Sequence, residues 1–141
     1  MKTARRQARE VALQALYAWQ LSGGDPLEEA QCLEGFEKNS AFVKNLVHGV
    51  QGRSTELEAV ITPHLDRPFA KLSPVERAIL YIGCFELAAH RETPFKVVLN
   101  EAIELGKSFG AAEGHRFVNG VLEKIAGALR PEEVARARNP A

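Results

Sequence analysis

The chain has 141 residues, of which 45% are hydrophobic and 26% charged, and its 18 basic and 18 acidic residues give a net charge of zero. A chain of this length forms one domain and buries roughly 70% of its unfolded surface, so it needs neither disulfides nor a metal ion to fold. Charges interrupt every apolar run well before the ~20 residues that span a membrane, and Glu10, Gln14 and Gln20 interrupt the start where a secretory signal would be apolar. We therefore expect a cytoplasmic protein.

The first predicted helix has one apolar face with helical spacing. Its members are Ala4, Ala8, Val11, Ala12, Ala15, Leu16 and Trp19. Thr3 is the predicted N-cap, and Ser22-Gly23-Gly24 ends the helix. Asp25-Pro26 then begins a second helix, in which Glu28 and Glu29 are predicted to be solvated charges that suit its positive end.

Ser40 is the predicted cap of a third helix, which continues beyond a soft point at Gly49 and Gly52. Its buried stripe is Phe42, Val43, Leu46, Val47 and Val50, extended by Leu57, Val60 and Ile61. Residues 63–69 are predicted to form a turn or a single helical turn.

The strongest local signal is the capping box Ser73-Pro74-Val75-Glu76, which opens a helix that is apolar on most sides and is predicted to be central and buried. Thr93-Pro94 repeats the cap and proline before another helix, which Gly110 ends. A last long helix is predicted from about residue 112 to Arg130-Pro131, with one further turn or a frayed tail after it.

The predicted fold class is therefore all-α, with six to seven helices. We expect a single domain over residues 1–141, with an N-terminal lobe of about 1–70 and a C-terminal lobe of about 71–141.

Catalytic and metal-binding patterns are weak. Gly106-Lys107-Ser108 resembles the end of a phosphate-binding loop, but Glu101 stands where that loop needs another glycine. The four histidines lack metal-ligand spacing, and the pair Glu101/Glu104 is interpreted as solvated helix charge. Cys32 and Cys84 form no Cys-x-x-Cys motif, so we expect reduced thiols. The sequence predicts no enzyme activity, no metal and no cofactor.

Basic residues are concentrated at the start of the chain. Residues 10–37 contain no lysine or arginine, whereas residues 1–9 contain no acid and hold Lys2, Arg5, Arg6 and Arg9. A helix start carries partial positive charge and favours Asp or Glu, so these cations lie at the unfavourable end. Because departures from local preference are frequent at functional sites, the spacing predicts a compact cationic patch. This patch contacts an RNA or DNA backbone or an acidic protein, or it is simply a solvated helix end.

Aromatic residues refine this hypothesis. Trp19 lies on the apolar face of the first helix and is predicted to be core, whereas Tyr17 lies off that face. Phe117 is close in sequence to Arg116 and Glu113. At helical spacing it is either a core residue or, beside a basic patch, a platform on which a base stacks.

Three stretches together resemble the NusB family of bacterial transcription antitermination factors, over nearly the whole chain. They are Arg5–Glu10 continuing through Ala12–Tyr17 to Trp19-Gln20, then Val75–Leu80 leading to Phe85-Glu86-Leu87, and finally Pro94–Val98, Asn100–Leu105, Lys107–Gly110 and His115–Leu122. The last stretch is the most specific, whereas residues 23–70 match only in helical pattern.

The resemblance implies two packed helical bundles and a non-enzymatic protein that binds boxA RNA together with NusE, a small-subunit ribosomal protein. Such a pair joins an RNA polymerase complex that reads through terminators, notably in ribosomal RNA operons. The RNA contacts that the resemblance implies are Lys2, Arg5, Arg6, Arg9, Arg116, Phe117 and Glu113. Tyr17 and Glu76 are the implied NusE contacts, and Gln7 stands where a third consecutive arginine can occur.

Two alternatives remain at this point. The basic helix start could bind an acidic partner in a protein-interaction module, or it could be buried in a homodimer. The same fold also occurs as a domain of ribosomal RNA cytosine methyltransferases, but this chain shows no Gly-rich segment for a methyl donor.

Overall fold

The computed structural model describes residues 2–110 and 114–139, and all regular structure in these ranges is helical. Eight α-helices occur in them: α1 (Ala4–Ser22), α2 (Pro26–Gln31), α3 (Ser40–Gly52), α4 (Ser54–Ile61), α5 (Pro74–Ala89), α6 (Phe95–Phe109), α7 (Gly114–Leu129) and α8 (Pro131–Arg138). Short 3-10 helices cover Phe36–Asn39, Thr62–His64 and Phe69–Lys71. The all-α prediction is confirmed.

The predicted count of six to seven helices is wrong for two physical reasons. Arg53 leaves helical geometry with φ −121° and ψ 18°, so the predicted third helix divides into α3 and α4. The tail forms a full helix, α8, because Pro131 occupies its first turn with Glu132 and Glu133 at its positive end. The predicted start of the last long helix, near residue 112, lies outside the described residues.

Three predicted N-caps are confirmed. Thr3 Oγ1 accepts from the Arg6 amide at 3.0 Å, and Asp25 Oδ1 accepts from the Leu27 amide at 2.9 Å. The capping box of α5 is complete, because Ser73 Oγ accepts from the Glu76 amide while Glu76 Oε1 accepts from the Ser73 amide. Gly23 ends α1 with φ 72°, a conformation that favours glycine.

Two other predicted caps are wrong. Ser40 is the first residue of α3 and makes no capping hydrogen bond. Thr93 does not cap α6, because that helix begins at Phe95, one residue later than the pattern requires. The Phe95 amide instead donates to Glu133 Oε1 of α8 at 2.9 Å, so a residue far away in sequence supplies the missing acceptor.

The helix α5 is the centre of the molecule, as its sequence predicts. Every residue from Ala78 to Leu87 is buried, and α1, α3, α4, α6 and α7 all pack against this helix. The thiol of Cys84 lies in this core, where burial raises its pKa to about 12 and keeps it protonated. Trp19 packs against the edge of the core and is only partly buried. Its ring centre lies 6.2 Å from that of Tyr81.

The C-terminal end of α5 is fixed by a buried arginine from the other end of the chain. Arg130 donates to the carbonyl oxygens of Glu86, Leu87, His90 and Thr93 at 2.6–3.1 Å. These carbonyls lie at a helix end, where intrahelical donors run out. Arg130 therefore holds the last turn of α5, which carries Glu86, in a defined position.

A close approach between α3 and α5 predicts a large difference between two glycines of the same helix. A Cβ at Gly49 would lie 2.2 Å from Phe85 Cζ, whereas a Cβ at Gly52 would meet nothing within 4 Å. Phe85 is buried, so we expect Gly49→Ala to lower the free energy of unfolding by about 1–3 kcal/mol, and Gly52→Ala to leave it unchanged or slightly raised. Urea unfolding of the two variants measures the difference, and equal midpoints would contradict the packing described.

No helix in the described residues is both long enough and apolar enough to cross a membrane.

Candidate nucleic-acid interface

The cations at the start of α1 meet carboxylates that come from other parts of the fold. Lys2 Nζ lies 2.8 Å from Glu10 Oε1. Arg6 makes a two-point contact with Glu101 of α6, through Nε at 3.1 Å and Nη2 at 2.8 Å. The interpretation of Glu101 as a solvated charge is therefore wrong, since its side chain is only 12% exposed.

Arg9 is an internal residue. It is 4% exposed, and its Nε and Nη2 donate to the two carboxylate oxygens of Glu86 in α5 at 2.9 and 2.8 Å. Its Nη1 also reaches Glu101 at 3.5 Å. The prediction of one solvent-facing patch of four cations is therefore wrong for Arg9, because α5 and α6 cover that position of α1.

Glu86 is ionised within this buried pair. Burial opposes its ionisation, but the hydrogen bonds from Arg9 and His90 outweigh burial and lower the pKa of the carboxyl below its ordinary value. His90 continues the chain of contacts, because its other ring nitrogen lies 2.6 Å from Asn45 Oδ1 of α3. The Arg9–Glu86 pair thus joins α1 to α5, and His90 extends the contacts to α3. These contacts fix the direction in which α1 begins.

Three of the predicted cations remain accessible. Lys2 and Arg5 are exposed, and Arg6 is partly exposed beside Glu101. The guanidinium of Arg5 lies 4.3 Å from the centre of the Phe42 ring, a cation–π contact that orients it over α3. The accessible charge at the start of α1 therefore consists of Lys2, Arg5 and Arg6.

Phe117 lies in α7 between two clefts. It is partly buried and packs against the core, and the Arg67 guanidinium lies 4.9 Å from its ring centre. The cleft on one side, here called the glycine cleft, has a volume of about 440 Å³ and is lined by Arg67, Ser73, Val75, Glu76, Ile79, Gly106, Gly110, Gly114 and Phe117. The cleft on the other side, here called the basic cleft, has a volume of about 400 Å³ and is lined by Pro63, His64, Leu65, Asp66, Arg116, Phe117, Gly120, Val121 and Lys124.

The helix α6 connects the arginine region with Phe117. Glu101 of α6 contacts Arg6, and Gly106 of the same helix lines the glycine cleft. Five residues of α-helix span about 7.5 Å along the axis, so one short stretch of α6 contacts both parts of the predicted site. A Cβ at Gly106 would lie 2.6 Å from His115 Cβ, which shows how closely α6 approaches α7 there.

The predicted partner residues lie at the other end of α1. Gln20 of α1 donates to the Pro74 carbonyl and accepts from Arg77, so Tyr17 and Glu76 lie at the same end of this antiparallel helix pair. Tyr17 is 40% exposed and Leu21, one turn further, is 60% exposed. The carboxylate of Glu76 is bound in the capping box and also borders the glycine cleft.

Sequence reasoning missed Arg67, Lys124 and Leu21. Leu21 was detectable, because it follows Tyr17 by four residues on the otherwise polar face of the first helix. Lys124 was also detectable, because it follows Phe117 by seven residues, which places both on one face of the last helix. Arg67 carries no local signal, since only the packing of the fold places it beside Phe117. Glu113, a predicted RNA contact, lies outside the described residues.

Known structures define the class of this fold. T. maritima NusB superimposes with a TM-score of 0.83 and 25% identity, covering 96% of this chain and 99% of that chain. A chain in the crystal structure of antitermination factors NusB and NusE in complex with dsRNA matches with a TM-score of 0.78 and 30% identity, covering 91% and 99%. The fold is therefore that of an all-helical antitermination factor.

Sequence comparison then assigns the family. The model of the NusB family matches residues 6–127. The transcription antitermination protein NusB of Dechloromonas aromatica is 49% identical over 138 residues, which cover 95% of this chain and 85% of the relative. The chain belongs to the NusB family, and the resemblance drawn from its motifs is confirmed.

Proposed function

We propose that this chain is a transcription antitermination factor that binds boxA RNA together with NusE in a complex on RNA polymerase, notably in ribosomal RNA operons. It acts by binding and not by catalysis, and its place of action is the cytoplasm. The observation that carries the proposal is membership of the NusB family across residues 6–127. The related structure that contains NusB, NusE and dsRNA supports RNA and NusE as the partners.

The proposed RNA surface has two parts. Lys2, Arg5 and Arg6 contact phosphates, because they are the accessible cations at the start of α1. Phe117 stacks on a base, with Arg116 beside it for the backbone. Glu113, the remaining RNA contact that the resemblance implies, lies outside the described residues. Arg9 acts as a positioning residue, because its guanidinium is bound to Glu86 within the protein.

The proposed NusE surface is centred on the exposed pair Tyr17 and Leu21. An apolar pair at i, i+4 on a helix face suits a partner that buries it, and Glu76 lies at the same end of the α1–α5 pair. This end of α1 is distinct from its basic start. One helix thus offers RNA and NusE separate contact regions.

A filter-binding titration tests the proposal. It compares boxA RNA with a scrambled RNA of equal length, with and without NusE. We expect tighter binding of boxA and a further gain with NusE. Equal affinity for the two RNAs in the presence of NusE would contradict the proposal.

Arg6→Gln is expected to weaken boxA binding and to reduce its salt dependence. Loss of one phosphate contact on a single strand lowers the slope of log affinity against log salt by about 0.7. The matched control is Arg136→Gln, an exposed arginine of α8 that borders neither cleft. A slope that falls equally in both variants would assign the effect to net charge alone and exclude a local contact of Arg6.

A further inference from the structure

The basic cleft has the charge of an anion-binding surface. Among the described residues that line it, the one acid is Asp66, which is bound to Arg67 through contacts of 2.7 and 3.2 Å, and this hydrogen bonding lowers the pKa of the Asp66 carboxyl. Arg116 and Lys124 are exposed, and neither forms an ion pair with an acid among the described residues. In the part of the chain that the structure describes, the cleft therefore offers two exposed cations outside any ion pair, with Lys124 near enough to Asp66 to help lower the pKa of that carboxyl.

One side of the basic cleft is formed by α7, on the stripe of the helix that follows Phe117. Phe117, Gly120 and Lys124 follow at i, i+3 and i+7, so they lie along one stripe of the helix. Seven residues of helix span about 10.5 Å. A Cβ at Gly120 would meet nothing within 4 Å, so the floor between the aromatic ring and the lysine is open.

We propose that the basic cleft binds the backbone of unpaired RNA flanking the segment that stacks on Phe117, with Lys124 and Arg116 as phosphate contacts. An aromatic platform followed by cations along an open groove is the combination that single-stranded nucleic acid requires. A base stacked on Phe117 leaves its neighbouring nucleotide beside the ring, in the direction of Gly120. This inference rests on the proposed function and extends its RNA path along α7.

The test uses the full chain with NusE and compares boxA RNA with the same RNA carrying eight added uridines at either end. We expect one extension to raise affinity on the order of fivefold in the unmodified chain. Lys124→Gln removes this gain, whereas the matched control Lys44→Gln, on the exposed face of α3, retains it. Binding of the unextended RNA changes little in either variant.

A second pair of variants separates charge from shape. Gly120→Glu and Gly120→Gln are nearly equal in size, and the open space at this position lets both fold. We expect the glutamate variant to bind the extended RNA about tenfold more weakly than the glutamine variant, because only the carboxylate repels a phosphate. Circular dichroism confirms that both variants keep their helices.

The outcomes distinguish this inference from the proposed function. If neither extension raises affinity, or if the two Gly120 variants bind extended RNA equally, the basic cleft does not hold RNA. If unextended boxA RNA is bound no better than scrambled RNA, the proposed function fails. The cleft is then judged by the Gly120 pair alone, because phosphate contacts do not depend on base sequence.

Discussion

Arg9→Leu is expected to lower the free energy of unfolding by about 3–5 kcal/mol, because it leaves Glu86 charged and buried without its main partner. Glu86 is 1% exposed, and the two side chains share two hydrogen bonds of 2.8–2.9 Å. Urea unfolding followed by circular dichroism measures the loss. A decrease below about 1 kcal/mol, the range of an exposed pair, would contradict the internal role of Arg9.

The double variant Arg9→Leu with Glu86→Leu is the control. Replacing both members of a buried pair by apolar residues is often close to neutral, so we expect the double variant to recover most of the stability.

The stability contributed by the Arg9–Glu86 pair also depends on pH, with a defined sign. The lowered pKa of Glu86 means that the pair stabilises the unmodified chain fully above the ordinary carboxyl pKa of 4.5. This contribution is lost as the pH falls through the lowered pKa, and the double variant lacks it.

Phe117→Leu is expected to weaken boxA binding by about 1–3 kcal/mol, which corresponds to roughly 5- to 150-fold, because leucine fills space but cannot stack on a base. The change keeps an apolar side chain against the core, so stability changes less than binding does. Filter binding gives the affinity, and urea unfolding gives the stability.

Phe117→Tyr is the matched control, because it retains an aromatic face. We expect it to bind boxA RNA nearly as well as the unmodified chain. Equal losses in the leucine and tyrosine variants would show that Phe117 acts only through packing of α7.

Signals within one or two helical turns predicted most of the helices and caps. The wrong predictions of caps arose where the partner residue is distant in sequence. The capping box of Ser73 and Glu76 lies within one turn and could be identified directly from the residues. The acceptor for the start of α6 is Glu133, 38 positions away from Phe95, whereas the local pattern indicated Thr93. The break at Arg53 was predicted only in part: Gly49 and Gly52 marked a soft point beside it, but apolar spacing resumes at Leu57, so the segment was predicted as one continuing helix.

The basic start of α1 shows the same limit at the candidate site. The four cations do depart from the preference of a helix start for acids, but the cause differs from one residue to another. The partner of Arg9 is 77 positions away and that of Arg6 is 95 positions away, so sequence spacing could not reveal either pair. The anomaly is structural for Arg9, whereas Lys2, Arg5 and Arg6 keep accessible charge.

Phe117 could be identified as a candidate from the family resemblance, but the clefts on its two sides could not. They depend on how α6, α7 and residues 63–67 pack together, and this packing is set by contacts such as that of Gly106 with His115. The aromatic platform is therefore visible in the sequence, and the groove around it is a property of the fold.

Ultraviolet cross-linking of boxA RNA to the chain in complex with NusE tests the central claim most directly, with the modified peptides identified by mass spectrometry. The account predicts cross-links at the start of α1, around Lys2 to Arg6, and at Phe117, and a loss of the second in Phe117→Leu. Cross-links confined to other surfaces, such as α2 or α8, with none at these two regions, would contradict it.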